Sequence, residues 1–353
     1  MLEKANSYKL LVVAPSGAHL RNFLHRIESA NTQIHIITSK PLIFETKHPV
    51  TFVDFTLKNP LNISPTLEAI RKVYQEFLPD IVHVHQLNSV AFYTVKALRK
   101  YKVHLIATAW GSDVLTLPQK GVLYKAMVKY SLKHATAFTS DSAFMAKRMR
   151  ELVPKRKLDI TICNFGVSEP VYSLPKEDII YANRLHKPLY RVDKIIAAFK
   201  KFLDSGSDNW QLVVAATGTE TEKLKALTNQ LKIADSVSFV GWLENDDNMK
   251  WYAKAKVWAS IPSSDATAIS LLEAMYNGCF PVVADLPASH EWIVDGENGR
   301  IVKDVDSSFF EEIETVDFDR VAKRNKSIIE QEATYAISEK KFQDLHRRLL
   351  ESE

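Results

Sequence analysis

Short apolar runs alternate with amphipathic stretches along this chain, and the alternation is completed twice. Runs at 9–14 (KLLVVA), 33–38 (QIHIIT), 50–54, 80–85 (DIVHVH), 103–108 (VHLIAT), 135–139 and 159–163 have the length of strands. Between them, 18–30, 64–77, 88–101, 119–134 and 141–152 carry apolar residues at three- and four-residue spacing, the helical period. Strand–helix alternation implies parallel pairing with right-handed crossovers, hence a doubly wound sheet. The pattern restarts with strands expected at 178–182, 210–215, 237–241, 256–260 and 280–284. Helices are expected at 192–204, 219–231, 247–255 and 268–277, with a helical tail from about 319. The stretch 166–177 holds two prolines and no helical period, and reads as the linker. Two Rossmann-like α/β domains are therefore expected, 1–172 and 173–334, with a last helix at about 335–353 packing back on the first. In such sheets ligands bind beyond the carboxyl ends of the strands, so the site is expected in the cleft between the domains.

The 353 residues suffice for two cores, and 46% apolar with 25% charged is a globular balance. No apolar stretch approaches the ~20 residues of a membrane-spanning helix, and LLVVA is too short for a signal-peptide core. The two cysteines, Cys163 and Cys279, have no zinc-like spacing and fit a reducing compartment. A cytoplasmic protein is the expectation. Charge is lopsided: residues 1–174 carry 23 Lys and Arg against 12 Asp and Glu, whereas the remainder is acidic. The excess concentrates in 96–157, which fits either a solvated basic face or contact with a polyanion.

Only ten glycines occur, with no GxGxxG after any strand and no Walker loop, which disfavours a dinucleotide enzyme or a P-loop NTPase. The first strand–helix turn, PSGAHL, has the single Gly17.

Chemistry concentrates in 257–276, VWASIPSSDATAISLLEAMY. A strand ends at Ile261-Pro262, a small hydroxyl-rich turn follows, and a helix begins near Ala268. A helix start offers free N–H groups and a positive dipole end, which suits phosphate. Asp265 precedes the helix and Glu273 lies inside it. Glu273 can hydrogen-bond a ribose diol while the helix start, Thr267 to Ser270, holds a diphosphate, and Asp265 can reach a sugar beyond it. The plainer alternative makes Asp265 a helix cap and Glu273 a helix-face acid.

Residues 237–302 resemble the carboxyl-terminal signature of family-four glycosyltransferases, retaining enzymes with the GT-B fold. The matching segments are VSFVGW at 237–242, WYAKAKVW at 251–258, SDATAISLLEAM at 264–275, GCFPVVAD at 278–285 and HEWIVDGENGRIV at 290–302. Asp265 stands where that family usually has the first of two glutamates, and Ser-Asp-Ala-Thr resembles a branch reading Ser-Asp-Gly-Thr there. A second block, IIYANRLHKPLYRVDKIIAAF at 179–199, aligns Arg184 with the family's diphosphate-binding arginine. The usual lysine falls on Tyr190 or, one place later, Arg191. Arg191 is equally readable as an exposed helix-start cation.

The first half resembles the family more loosely. PDIVHVH at 79–85 resembles its strand ending in His-x-His, and TAWGSDV at 108–114 the following loop. His83 and His85 alternate and share one face of the strand. The resemblance places His85 beside the reacting sugar, and His83, Trp110, Ser112 and Asp113 on the acceptor side. It gives Gly17 close approach to the diphosphate. The donor site it implies comprises Gly17, Arg184, Arg191, Gly241, Trp242, Asp265, Ala266, Thr267, Ala268, Ser270 and Glu273, with His85, Asp265 and Arg184 nearest the chemistry.

The resemblance thus implies transfer of a hexosyl or N-acetylhexosaminyl group from a nucleotide-sugar, UDP-sugar being commonest, to a glycan or lipid-linked acceptor. Polysaccharide, lipopolysaccharide or glycolipid assembly is the expected setting. The alternatives are a non-catalytic sugar-nucleotide-binding or scaffold protein, or a sugar-nucleotide epimerase; a phosphorylase would need a further anion site. Lys125, Lys129 and Lys133 form a helical stripe, with Val122, Leu123, Met127, Tyr130 and Leu132 available for packing. Lys147, Arg148 and Arg150 follow. Peripheral contact with an anionic membrane at its inner face is expected, and nucleic acid is not, for want of a recognition module. The acid pairs Asp304/Asp306 and Asp317/Asp319 resemble DxD metal motifs but fall in an acidic helical region, so no metal is expected.

Overall fold

The structure is a computed structural model that describes residues 7–29, 31–57 and 59–352. It divides into two compact units. One contains the chain up to Phe165 together with the segment from Tyr335 onward, and the other is Gly166–Thr334.

In the first unit the strands are β1 (Tyr8–Val13), β2 (Thr32–Thr38), β3 (Val50–Phe52), β4 (Ile81–His85), β5 (His104–Thr108), β6 (Ala137–Ser140) and β7 (Ile160–Ile162). All pair in parallel, in the order β3-β2-β1-β4-β5-β6-β7. The helices are α1 (Ala18–Ile27), α2 (Ile63–Phe77), α3 (Ser89–Leu98), α4 (Ser112–Leu115), α5 (Val122–His134) and α6 (Ala143–Leu152). Every residue of β4 is buried, as a strand covered on both faces requires, and its two histidines, His83 and His85, are enclosed with its apolar residues. Side chains cap two of these helices: Asn88 accepts from Val90 N and Ser142 from Met145 N.

The second unit contains β8 (Glu177–Ala182), β9 (Gln211–Ala215), β10 (Val237–Gly241), β11 (Ala255–Ser260), β12 (Phe280–Ala284) and β13 (Arg300–Val302), ordered β10-β9-β8-β11-β12-β13. Its helices are α7 (Val192–Asp204), α8 (Thr221–Gln230), α9 (Asn245–Lys254), α10 (Ile269–Tyr276) and α11 (Phe318–Glu332). Helix α7 buries Val192, Ile195, Ile196, Phe199 and Phe202, the spacing of one helical face, into a core on one side of the sheet. Met249, Tyr252, Leu272 and Met275, from α9 and α10, belong to a second core with Tyr181 and Trp258.

The units divide at Gly166, the first residue of the expected 166–177 linker and a few residues before the expected boundary after 172. The segment following Gly166 is part of the second unit: Val167 bridges Thr334, and the Tyr172 hydroxyl donates to Asp246. The chain then returns, and α12 (Tyr335–Leu350) buries Phe342, Leu345 and Leu349 in the first unit. Arg26 lies 3.6 Å over the Tyr335 ring, and Arg348 pairs with Asp159 at 2.9 Å.

Strand order reverses once in each sheet, between β1 and β4 and between β8 and β11. These are the switch points where the loops leaving adjacent strands diverge and open a crevice.

Candidate active site

At the switch point of the second unit, β8 delivers Asn183 and Arg184, and β11 delivers the turn to α10. Arg184 Nη2 donates to Asp265 Oδ2 at 2.7 Å and Nη1 to Ser270 Oγ at 3.0 Å. The guanidinium lies 4.5 Å over the Tyr190 ring. Its side chain is 12% exposed. Burial works against its charge, and Asp265 and Tyr190 outweigh burial, so it stays ionised. Asp265 is therefore an ion-pair partner and not a helix cap. Ala268 holds the cap position of α10, and no side chain caps that end, leaving the first N–H groups of the helix to an anion. Ala266 and Thr267 are buried, and Thr267 Oγ1 accepts from Trp292 Nε1. A shallow recess opens beside Asp265, Ala266 and Ala268.

Glu273 lies one turn beyond Ser270 on α10 and is half-buried, not a solvated helix-face acid. Burial lifts its carboxyl to about 7, opposed by a hydrogen bond from Tyr252 Oη at 3.0 Å. Arg191 is half-buried in the left-handed region, φ 50°, between a 3₁₀ turn and α7. It stands at the start of α7, and its Nε is buried without a partner among the described residues. Gly241 ends β10 at φ 72° with open space around its α-carbon, and Trp242 beside it is 65% exposed.

The switch point of the first unit gathers a different set. His85, the last residue of β4, is fully buried and stacks on His83 at 4.7 Å, as residues on one strand face should. Phe23 lies at 4.2 Å, and Trp110 and Phe165 complete its surroundings. Both His85 ring nitrogens lack partners among the described residues, as do Ser16 Oγ, His19 Nδ1 and Trp110 Nε1. Burial first, then the neighbouring His19 and His346, lower His85 to about 3, so its imidazole is neutral. A buried polar group without a partner is costly, so these atoms are candidates for contact with a polar ligand or water. Gly17 closes the group at the start of α1; a Cβ there would meet nothing within 4 Å.

Two acceptor-side expectations change. His83 is wholly enclosed and both its nitrogens are engaged, Nε2 with Thr108 Oγ1 at 2.6 Å and Nδ1 with His346 Nε2 at 3.0 Å. Asp113 is buried, accepting from Leu87 N at 2.6 Å and Trp110 N at 3.0 Å, so it braces two loops. Ser112 is exposed at the start of α4.

Sequence reasoning missed His346, which also meets Tyr8 Oη at 3.0 Å, because it sits in an otherwise charged helix, HRR. It missed the polar chain behind Glu273 through Tyr252, Asn183, Asn248 and Tyr181. It also missed Gly218, where a Cβ would stand 2.3 Å from the His186 carbonyl. Asp306 pairs with Lys194 at 2.6 Å, and Asp317 caps α11 by accepting from Arg320 N. Among the described residues no group of three or more His, Cys, Asp or Glu is placed to hold a metal.

Lys125, Lys133, Lys147, Arg148 and Arg150 are exposed and Lys129 half-buried; Arg148 pairs with Glu151 at 2.7 Å. Met127 and Leu132 pack inward, but Val122 and Leu123, expected to pack, are 87% and 71% exposed. The first turn of α5 stands clear, and burial begins only at Met127.

Residues 9–142 match the family described as glycosyl transferase 4-like, and residues 171–332 match glycosyl transferases group 1. The lipopolysaccharide core biosynthesis glycosyltransferase LpsD of Rhizobium meliloti is 24% identical over 259 residues, 67% of this chain and 63% of that protein. The lipopolysaccharide 1,6-galactosyltransferase of Escherichia coli is 22% identical over 69% of this chain and 67% of its own length. The chain thus spans about two thirds of these relatives. Among solved structures, HepE of Anabaena in complex with UDP superposes with a TM-score of 0.81 at 13% identity, over 96% of this chain and 100% of that one. Sucrose-phosphate synthase of Thermosynechococcus elongatus superposes with a TM-score of 0.82 at 14% identity, over 98% and 100%. With both halves matched, the chain belongs to the family-four glycosyltransferases and has their GT-B fold.

Proposed function

We propose that this protein is a retaining glycosyltransferase that moves a hexosyl or N-acetylhexosaminyl group from a nucleotide-sugar, a UDP-sugar, to a glycan or lipid-linked acceptor. The observation that carries the reading is the grouping of Arg184, Ser270, Asp265 and Glu273 around the uncapped start of α10. The planar fork of Arg184 and the α10 N–H groups suit a diphosphate. Arg191, with its unpartnered Nε, is a second cation for it. Glu273 takes the ribose diol, Gly241 and Trp242 border the base, and Asp265 takes sugar hydroxyls. As the sugar departs, negative charge grows on the diphosphate, and fixed donors stabilise it there. His85 and its unpartnered neighbours take hydroxyls of the transferred sugar or the acceptor. A neutral His85 offers one donor and one acceptor but no charge. The relatives' names, two lipopolysaccharide glycosyltransferases and the alpha-monoglucosyldiacylglycerol synthase of Streptococcus pneumoniae, support a lipid-linked acceptor.

Thermal-shift screening with UDP-, GDP-, ADP- and dTDP-sugars tests this. One nucleotide is expected to stabilise the wild type and not Glu273→Ala. No shift with any of them at millimolar concentration would favour a non-catalytic role.

A peripheral membrane contact completes the proposal. No helix among the described residues is long and apolar enough to cross a membrane. The first turn of α5 presents Val122, Leu123 and Tyr124 beside Lys120 and Lys125, and no acidic residue lies between Asp113 and Asp141. Apolar side chains beside cations suit an anionic lipid surface, each cation adding about 1 kcal/mol. The protein is expected to float with anionic vesicles and not with neutral ones, and to lose flotation in the Val122→Asp, Leu123→Asp double variant. Salt-insensitive or absent binding would contradict it.

A further inference from the structure

Behind Glu273 lies a hydrogen-bond chain whose direction the chemistry fixes. It starts at Trp258 Nε1, which can only donate, and which donates to Asn183 Oδ1 at 2.8 Å. That settles which end of the Asn183 amide is nitrogen. Its two hydrogens then go to Asn248 Oδ1 at 2.9 Å and to Tyr252 Oη at 2.7 Å. Asn248 Oδ1 also receives the Tyr181 hydroxyl at 2.5 Å. Because Tyr252 Oη already accepts from Asn183, its own hydrogen is free to go to Glu273 Oε2 at 3.0 Å. Oε2 is thereby held as an acceptor in either protonation state, and any proton on Glu273 must sit on Oε1.

We infer that Tyr252 is a positioning residue for donor binding, its hydroxyl aimed by Trp258 and Asn183 so that Glu273 is oriented and its carboxylate form favoured for the donor's ribose. This rests on the reading of Glu273 as the ribose contact. Tyr252 and Trp258 are buried and come from two different elements, α9 and β11, so the arrangement is built by the fold and not by local sequence. The titratable groups facing Glu273 are Tyr252 on α9 and Tyr181 on β8, both of which burial and Glu273 hold in the phenol form. Two cations lie nearby and both are committed. Lys176 Nζ is spent on the carbonyls of Tyr252, Ala255 and Asn277 at 2.8–2.9 Å, and Arg184 meets α10 at Ser270. Cys279 is buried as a thiol. The Tyr252 hydroxyl is thus the neighbour that favours the charged carboxylate by a direct hydrogen bond.

The test is the affinity of UDP, GDP and ADP by calorimetry between pH 5.5 and 9, on wild type, Tyr252→Phe, Trp258→Phe and Glu273→Gln. Wild-type affinity for the preferred nucleotide is expected to fall as pH drops through about 7. In Tyr252→Phe that midpoint should move up by about one unit, a loss of about tenfold at low pH, with affinity at pH 9 within about twofold of wild type. Trp258→Phe frees Asn183 to turn over and accept the Tyr252 hydrogen itself, so a smaller upward shift is expected; it also serves if Tyr252→Phe does not fold. An unmoved midpoint in whichever of these folds, or a loss equal at every pH, would overturn the inference. Glu273→Gln should bind weakly with no dependence on pH. Wild-type affinity in Glu273→Gln, or no nucleotide binding by wild type, would instead overturn the ribose reading beneath it.

Discussion

Asp265 holds Arg184 in an ion pair that a diphosphate bound as proposed would have to displace or share. Both groups are largely shielded, 12% and 27% exposed at the side chain, so the pair is little screened by water. Asp265→Asn keeps the shape and removes the competing charge. It is expected to bind free nucleoside diphosphate about 3–10-fold more tightly while losing transfer by about 100-fold or more, since the sugar loses its carboxylate. Weaker diphosphate binding, measured by calorimetry, would show that Asp265 supports Arg184 and does not compete with the ligand. Glu273 adds a stability effect of definite sign. Its carboxyl is raised from 4.5 to about 7, so the folded state holds more protons than the unfolded between those values. Stability therefore falls as pH rises through that window. Glu273→Gln should raise the Tm of the ligand-free protein at pH 8 by roughly 2–4 °C, and an unchanged Tm would contradict this.

Among the elements, α12 carries one buried histidine that bonds to two strands. His346 joins Tyr8 on β1 to His83 on β4, and Thr108 and Thr139 extend the network into β5 and β6. His346→Ala leaves buried His83 and half-buried Tyr8 without that partner and should cost about 1–3 kcal/mol in denaturant unfolding of the first unit. A change under about 0.5 kcal/mol would show that water replaces the ring. The same histidines make this unit sensitive to acid. His83, His85 and His346 are held far below 6.5 by burial, the last two at about 3. Depressed values of this kind cost stability as pH falls below 6.5, because the unfolded chain gains protons that the folded one refuses. For His85 and His346 about 1–2 kcal/mol each is expected to be lost between pH 6.5 and 5, read as a falling midpoint in denaturant unfolding; an unchanged midpoint would contradict this.

Across the whole molecule, what could be read from sequence was what local pattern controls. Strands covered on both faces leave short apolar-rich runs, in β4 interrupted only by His83 and His85, so β1, β4, β8 and β11 stood out, and with them both switch points. The three residues of β13 and the four of α4 are too short to show a period. Spacing placed Arg184, Asp265 and Glu273 near one helix start, but the Arg184–Asp265 pair joins residues far apart in sequence and needs the sheet order. His346 and Tyr252 looked like ordinary helix residues because their partners lie on other elements. Val122 and Leu123 were expected to pack because helical spacing names a face without saying where along the helix a neighbour begins to cover it.

The proposed grip of Arg184 and the start of α10 on a donor diphosphate is tested most directly by one calorimetric comparison. UDP and uridine are titrated into wild type and Arg184→Ala. A loss of about 30-fold or more for UDP, with uridine affinity unchanged within about twofold, is the predicted result. Equal losses for both ligands, or no loss for UDP, would contradict the account.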